Sequence, residues 1–224
     1  MKSKVDIMNV FLAPGSRPGG LAWDGANLWH ADYGDGRIYA LDPATAAVRR
    51  SLYCPGILSG LTWDGQALWQ SLYDQETLRG INPVTNDFDA AIILEGQGWL
   101  SGVAWDGRHL WTVAQQHGRL QALDRESGRV VKTLPVPVGT GDIDFHDGSL
   151  WASVAEPLRF DSALARFEWA ADSMEYVILR INPVDGQVIA RYAARHLYSG
   201  LCWVDDDLWL AHAPSKTLYR ARLG

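Results

Sequence analysis

Cysteine is scarce: Cys54 and Cys202 are the whole complement of a 224-residue chain, and they fall in different parts of two repeats. That excludes a disulfide framework and any Cys-x-x-Cys metal knuckle, and it suits a reduced, cytoplasmic setting. No run nears the roughly 18 apolar residues of a membrane span. The opening Met1-Lys-Ser-Lys-Val-Asp-Ile-Met8 lacks the uninterrupted apolar stretch of a signal peptide. Positive charge is also in deficit, with 20 Lys and Arg against 26 Asp and Glu, a net charge of −6 and no basic cluster. Nucleic acid and anionic membrane are therefore not expected partners. The chain has no Walker loop, no Gly-x-Ser-x-Gly elbow and no His-x-x-x-His pair. No cofactor is expected. A metal ion held by Asp32, Asp142, Glu156 and His212 has no local ligand spacing behind it.

What the chain does have is tryptophan, eleven residues of it, and a unit written five times. The clear copies are Gly20-Leu-Ala-Trp23-Asp-Gly-Ala-Asn-Leu-Trp29, Gly60-Leu-Thr-Trp63-Asp-Gly-Gln-Ala-Leu-Trp69 and Gly102-Val-Ala-Trp105-Asp-Gly-Arg-His-Leu-Trp111. Worn copies run Asp142-Ile-Asp-Phe145-His-Asp-Gly-Ser-Leu-Trp151 and Gly200-Leu-Cys-Trp203-Val-Asp-Asp-Asp-Leu-Trp209. The first aromatic stands at 23, 63, 105, 145 and 203, so the steps are 40, 42, 40 and 58. Short apolar runs with turn signals at a period near 40 mark a β-propeller in which each repeat is a four-stranded blade. The expectation is one all-β domain over 1–224: a five-bladed propeller with antiparallel blades. Nine of the eleven Trp fill the two repeating positions, which reads as core between blades.

Each Asp-Gly reads as a tight turn between the first and second strands, and Asp42-Pro43, Asn82-Pro83 and Asn182-Pro183 as turns between the third and fourth. In a meander these turns share one face. The opposite, working face collects the connections that differ between repeats: Tyr33–Gly36, Tyr73–Glu76, Gln115–Gly118, the long segment from Glu156, and Ala213–Lys216. The last repeat ends after three strands at Leu218–Leu223, so the N-terminal Val5–Leu12 is predicted to supply its fourth and close the ring. A monomer follows.

The step of 58 locates an insertion at about 156–174 in blade four. Asp161 or Ser162 as N-cap, with Leu164, Phe167 and Ala171 at helical spacing, predicts a helix there. Phe160, Phe167 and Trp169 would let it serve as a lid over the channel. Two breaks in the repeat nominate chemistry. Three residues before each first aromatic the chain reads Gly20, Gly60, Gly102, Asp142, Gly200, with Ser59, Ser101 and Ser199 one position earlier. Asp142 is predicted to project into the channel mouth beside those hydroxyls. Three residues after each second Trp only Asp32 and His212 are polar, on blades that become neighbours, as a carboxylate and imidazole prepared for acid–base work. Asp142, His212 and Asp32 are thus the catalytic candidates. Ser59, Ser101, Ser199, Gln70, Tyr33, Tyr73, Trp99, His117 and Glu156 are candidate ligand contacts.

The repeat Gly-Leu-x-Trp-Asp-Gly-x-x-Leu-Trp followed by Ile-Tyr-x-Leu-Asp-Pro-x-Thr resembles YVTN/NHL-type bacterial propellers. At five blades it is similar to the glutamine cyclotransferase family, the plant-type glutaminyl cyclases. Leu68-Trp-Gln70-Ser-Leu-Tyr73-Asp-Gln-Glu-Thr-Leu-Arg79 resembles that family's segment bearing an acidic catalytic residue, with Gln70 where the family carries Glu. Ala211-His212 stands at the family's late Gly-Lys, and about Ser153 at its Asn before Val-Trp. A Gln cannot move a proton as a carboxylate does, which argues against glutaminyl cyclase activity. The polar departures from the repeat concentrate at the channel mouth, and the expectation is a small-molecule enzyme or binder of lyase or transferase type working there by proton transfer, elimination or cyclisation. The alternative is a non-catalytic scaffold that presents the working face to a protein.

Overall fold

The computed structural model describes residues 3–56, 58–156, 158–164, 166–169 and 174–224. The chain opens with β1 (Val5–Leu12) and then builds blade one from β2 (Pro18–Trp23), β3 (Leu28–Asp32), β4 (Arg37–Leu41) and β5 (Val48–Tyr53). Blade two is β6 (Leu58–Trp63), β7 (Leu68–Leu72), β8 (Thr77–Ile81) and β9 (Phe88–Ile93). Blade three is β10 (Leu100–Trp105), β11 (His109–Ala114), β12 (Arg119–Asp124) and β13 (Val130–Pro135), with a 3-10 turn at Gln115–His117. Blade four uses β14 (Thr140–His146), β15 (Ser149–Glu156), β18 (Glu175–Ile181) and β19 (Val188–Ala194). A separate hairpin, β16 (Leu158–Asp161) and β17 (Arg166–Trp169), rises between β15 and β18. Blade five joins β20 (Gly200–Val204), β21 (Asp207–His212) and β22 (Thr217–Leu223) to β1, which pairs antiparallel from Val5 opposite Leu223 to Leu12 opposite Thr217. All five blades are antiparallel meanders, and the ring closes through the N-terminal strand. Among the described residues no helix is long and apolar enough to cross a membrane.

The repeated Trp-Asp-Gly-x-x-Leu-Trp has a local cause. In blade one Asp24 accepts the backbone N–H of Ala26 and Asn27 through Oδ1 and the Trp29 indole N–H at 2.7 Å through Oδ2. Asp64 and Trp69, at 2.6 Å, and Asp106 and Trp111, at 2.7 Å, repeat the arrangement. One carboxylate thus shapes the turn and satisfies the polar edge of a buried ring. Blade four has His146 at the Asp position, and Trp151 donates instead to the His146 carbonyl at 3.2 Å.

Innermost strands β2, β6, β10, β14 and β20 contact one another in sequence around the axis. Their ring glycines make this approach possible. A Cβ on Gly20, Gly60 or Gly102 would collide with the backbone nitrogen of Leu61, Val103 or Ile143 in the next blade. The inserted hairpin differs from the expected helix. Phe160 lies opposite Phe167 and Arg159 opposite Glu168, so apolar and charged residues alternate with period two. Asp161 caps a turn, accepting the N–H of Ala163 and Leu164, and the next described residues form β17. Ala171 and the side chains of Phe160, Phe167 and Trp169 lie outside the described residues.

Candidate functional site

On the working face the channel opens into a cleft of about 370 Å³. Ser59, Ser101, Ser199, Tyr73 and His212 line it, all of which the sequence nominates. Gln115, Tyr176, His196, Leu197 and Tyr198 also line it; the sequence puts Gln115 in a working-face loop without nominating its side chain, and passes over the other four. His196, Leu197 and Tyr198 belong to the connection from blade four to blade five. That connection reaches the working face by the same wiring as the loops between second and third strands.

Two imidazoles dominate the geometry. The His196 and His212 rings stack with centroids 4.1 Å apart and planes 18° from parallel. Tyr198 meets both edge-on, at 6.2 Å and 6.4 Å. His212 sits at the end of β21, where its Nδ1 lies 2.6 Å from Ser215 Oγ, itself 2.5 Å from Thr217 Oγ1. Burial, and next the neighbouring His196, hold the His212 pKa below the ordinary imidazole value of 6.5, so the ring is neutral at pH 7. Burial raises the Tyr198 and Tyr73 hydroxyls to about 12, leaving them neutral hydrogen-bonding groups. Tyr73 donates to Gln115 Oε1 at 2.9 Å, and Gln115 Nε2 donates to the Thr140 carbonyl at 2.8 Å. Trp99 stacks on Tyr73 at 5.3 Å. Among the described residues that line the cleft there is no Asp, Glu, Lys or Arg. The surface is neutral, aromatic and hydroxylic, with two imidazoles as its titratable bases.

Asp142 does not project into this cleft. It is fully buried, and its Oδ2 accepts the N–H of Leu201 in blade five at 2.9 Å. The reason is the ring of glycines. At the other seams the equivalent position presses on the next blade's backbone, so a side chain there enters the seam and not the channel. Desolvation raises the Asp142 pKa well above 3.8. Asp144, two residues on, repeats the bridge by accepting the Trp203 N–H at 2.8 Å, and burial raises its carboxyl to about 7. The ring hydroxyls staple other seams: Ser101 donates to the Thr140 carbonyl at 3.1 Å and Ser199 to the Pro18 carbonyl at 2.7 Å.

Asp32 and His212 share no hydrogen bond. Asp32 is buried and accepts the backbone N–H of Arg17 at 2.8 Å and of Asp35 at 2.9 Å, tying down two loops. Its nearest imidazole is that of His30, 4.0 Å away, whose Nε2 contacts the Pro14 carbonyl and whose pKa burial lowers to about 4. Gln70 is also fully buried away from the cleft, accepting the Cys54 thiol at 2.9 Å. Tyr33 is half-buried under the Arg17 guanidinium at 5.5 Å, His117 is exposed in the 3-10 turn, and Glu156 pairs with Arg191 at 2.5 Å. The described hairpin residues are not among those that line the cleft. Among the described residues no group of three His, Cys, Asp or Glu could hold a metal ion.

No protein-family model and no curated protein matches the chain. The backbone is similar to the crystal structure of Myxococcus xanthus glutaminyl cyclase, with a TM-score of 0.78 at 13% identity, over 99% of this chain and 97% of that one. It is similar also to a chain of the mitotic checkpoint complex, with a TM-score of 0.58 at 12% identity, over 97% and 91%. At these identities the likeness is one of fold: a five-bladed β-propeller of the architecture that glutaminyl cyclase uses.

Proposed function

We propose that the chain binds and transforms a small organic molecule in the working-face cleft, with His212 as the group that moves the proton. The observation that carries this reading is the stacked His196–His212 pair in a cleft otherwise free of charge. Holding His212 neutral makes it a base at pH 7. In the tautomer whose Nδ1–H donates to Ser215 Oγ, Nε2 carries the lone pair that takes a proton. The Gln115–Tyr73 chain and Tyr198 supply fixed neutral partners for a substrate's polar head.

The chemistry of the walls suits an uncharged or anionic substrate with an apolar body. A cation would find no carboxylate in the cleft, whereas an anion would draw a proton onto the imidazoles. Proton transfer leading to cyclisation or elimination fits one base and several neutral donors. The whole-chain likeness to a glutaminyl cyclase supports an enzyme on this scaffold. Cyclisation of N-terminal Gln through position 70 is disfavoured, because Gln70 has no ionisable carboxyl and lies outside the cleft.

The test is ligand-observed NMR with a library of small amides, carboxylates and amino acids against the parent chain and His212→Asn. Compounds that bind the parent and lose at least about tenfold in affinity for the variant support the reading, since tenfold is about the worth of one hydrogen bond. Hits indifferent to position 212 contradict it.

A further inference from the structure

We propose that the tight-turn end of the channel is a second binding site, an aromatic cage for a small organic ammonium ion. This inference stands apart from the cleft. Strand β14 runs from Gly141 at the cleft to Phe145 and His146 at the other end of the channel. There the five first-position aromatics, Trp23, Trp63, Trp105, Phe145 and Trp203, line one cavity of about 200 Å³ together with Asp144.

The two Trp positions of the repeat prove to be different in kind. The second, at Trp29, Trp69, Trp111, Trp151 and Trp209, is 1–4% exposed and serves as core. All five aromatics of the first position stay partly exposed, and they converge on the axis. The five rings leave between them a cavity that a small ligand can enter. The faces of aromatic rings attract cations, and quaternary ammonium groups are commonly held in such rings.

Charge at this end favours the same occupant. Asp144 lines the cavity, and its Oδ2 is fixed by the Trp203 backbone N–H. His146 stacks on Trp203 at 4.6 Å, and burial lowers its pKa, so it adds no positive charge. Asp147 and Asp206 act on His146 from outside, and the nearby Arg180 is paired with Asp147 at 3.5 Å. Asp142 lies one bridge further up the same seam. An ammonium ion beside Asp144 would offset the burial that holds its carboxyl near 7. The cavity has room for an alkylammonium head and is too small for a folded partner.

The experiment is a titration of the ¹⁵N-labelled chain with choline chloride, followed through the indole N–H signals. The indoles of Trp23, Trp63, Trp105 and Trp203 should shift, while those of Trp29, Trp69 and Trp111 stay still. Choline's uncharged carbon isostere and the Asp144→Asn variant should each bind at least about tenfold more weakly, as expected where charge and ring faces supply the affinity. Trp63→Leu gives the same loss by an independent route if Asp144→Asn fails to fold. Absence of shifts at millimolar choline, equal binding of the isostere, or unchanged binding by a folded Asp144→Asn overturns the proposal. Tighter binding of a trimethyllysine peptide than of choline also overturns it, because the ligand would then be a protein.

Discussion

Asp142 reaches across the seam between blades four and five to accept the Leu201 backbone N–H at 2.9 Å, at the ring position where the other four blades carry glycine. The seam is held by a side chain where its counterparts are closed by direct backbone contact. Ring geometry therefore makes this carboxylate structural.

Its replacement should divide by chemistry. Asp142→Asn keeps an acceptor for Leu201 and removes a carboxyl that burial disfavours as an anion, so at pH 8 it should melt at or above the parent. Asp142→Ala orphans the Leu201 N–H and opens a void, and should cost about 1–3 kcal/mol. Thermal and denaturant melts of both variants measure this. Equal loss in the two would show that the bridge itself contributes nothing.

Asp144 should leave a signature in the pH dependence of stability. Its folded pKa, about 7, is raised above the ordinary 3.8, so the folded chain binds more protons between those values. Stability from this group is therefore full below about pH 4 and declines as pH rises to about 7. The difference in melting temperature, Asp144→Asn minus parent, should widen over that window and then level. A flat difference would place the Asp144 pKa near that of a solvated carboxylate.

Removing residues 3–12 deletes β1 and bares the whole pairing edge of β22. Size-exclusion chromatography and melting should show unfolding or aggregation, as an open edge invites pairing with other chains. A monomer with unchanged melting would contradict closure of the ring through the N-terminal strand.

His212 should titrate below 6.5 by histidine NMR, because burial first and His196 second oppose its protonation. His196→Asn removes the smaller cause, so the midpoint should rise yet stay under 6.5. A midpoint at or above 6.5 in the parent would remove His212 as a neutral base at pH 7.

The fold was legible because its determinants are local and repeated. Each Asp that caps a turn and each Trp it satisfies recurs at fixed spacing, and the missing fourth strand of blade five could be counted. The site was only partly legible. Tyr73, His212 and the ring serines lie in or beside loops that depart from the repeat, and departure is visible in a sequence. His196 and Tyr198 escaped because they sit in a connection between blades, where no repeat exists to depart from. Asp142 was misplaced because a ring of glycines reads equally as space around a channel or as contact between strands. Only the packed distance separates the two. Asp144, one strand repeat further on, went unread for want of a glycine ring to mark it, although Ala22, Thr62, Ala104 and Cys202 share its position. Arg159 to Asp161 and Arg166 to Trp169 alternate in charge and apolarity, a strand signal that the spacing of Leu164 and Phe167 outvoted.

The central claim, that the working-face cleft and not the seam at Asp142 is the functional site, is most directly tested by calorimetric titration. The tightest compound from the ligand screen would be titrated into the parent, His212→Asn and Asp142→Asn. The expected result is a loss of at least about tenfold in affinity for His212→Asn, the worth of one hydrogen bond, with Asp142→Asn binding as the parent does. Binding that survives loss of the imidazole but disappears with the Asp142 carboxyl would contradict it.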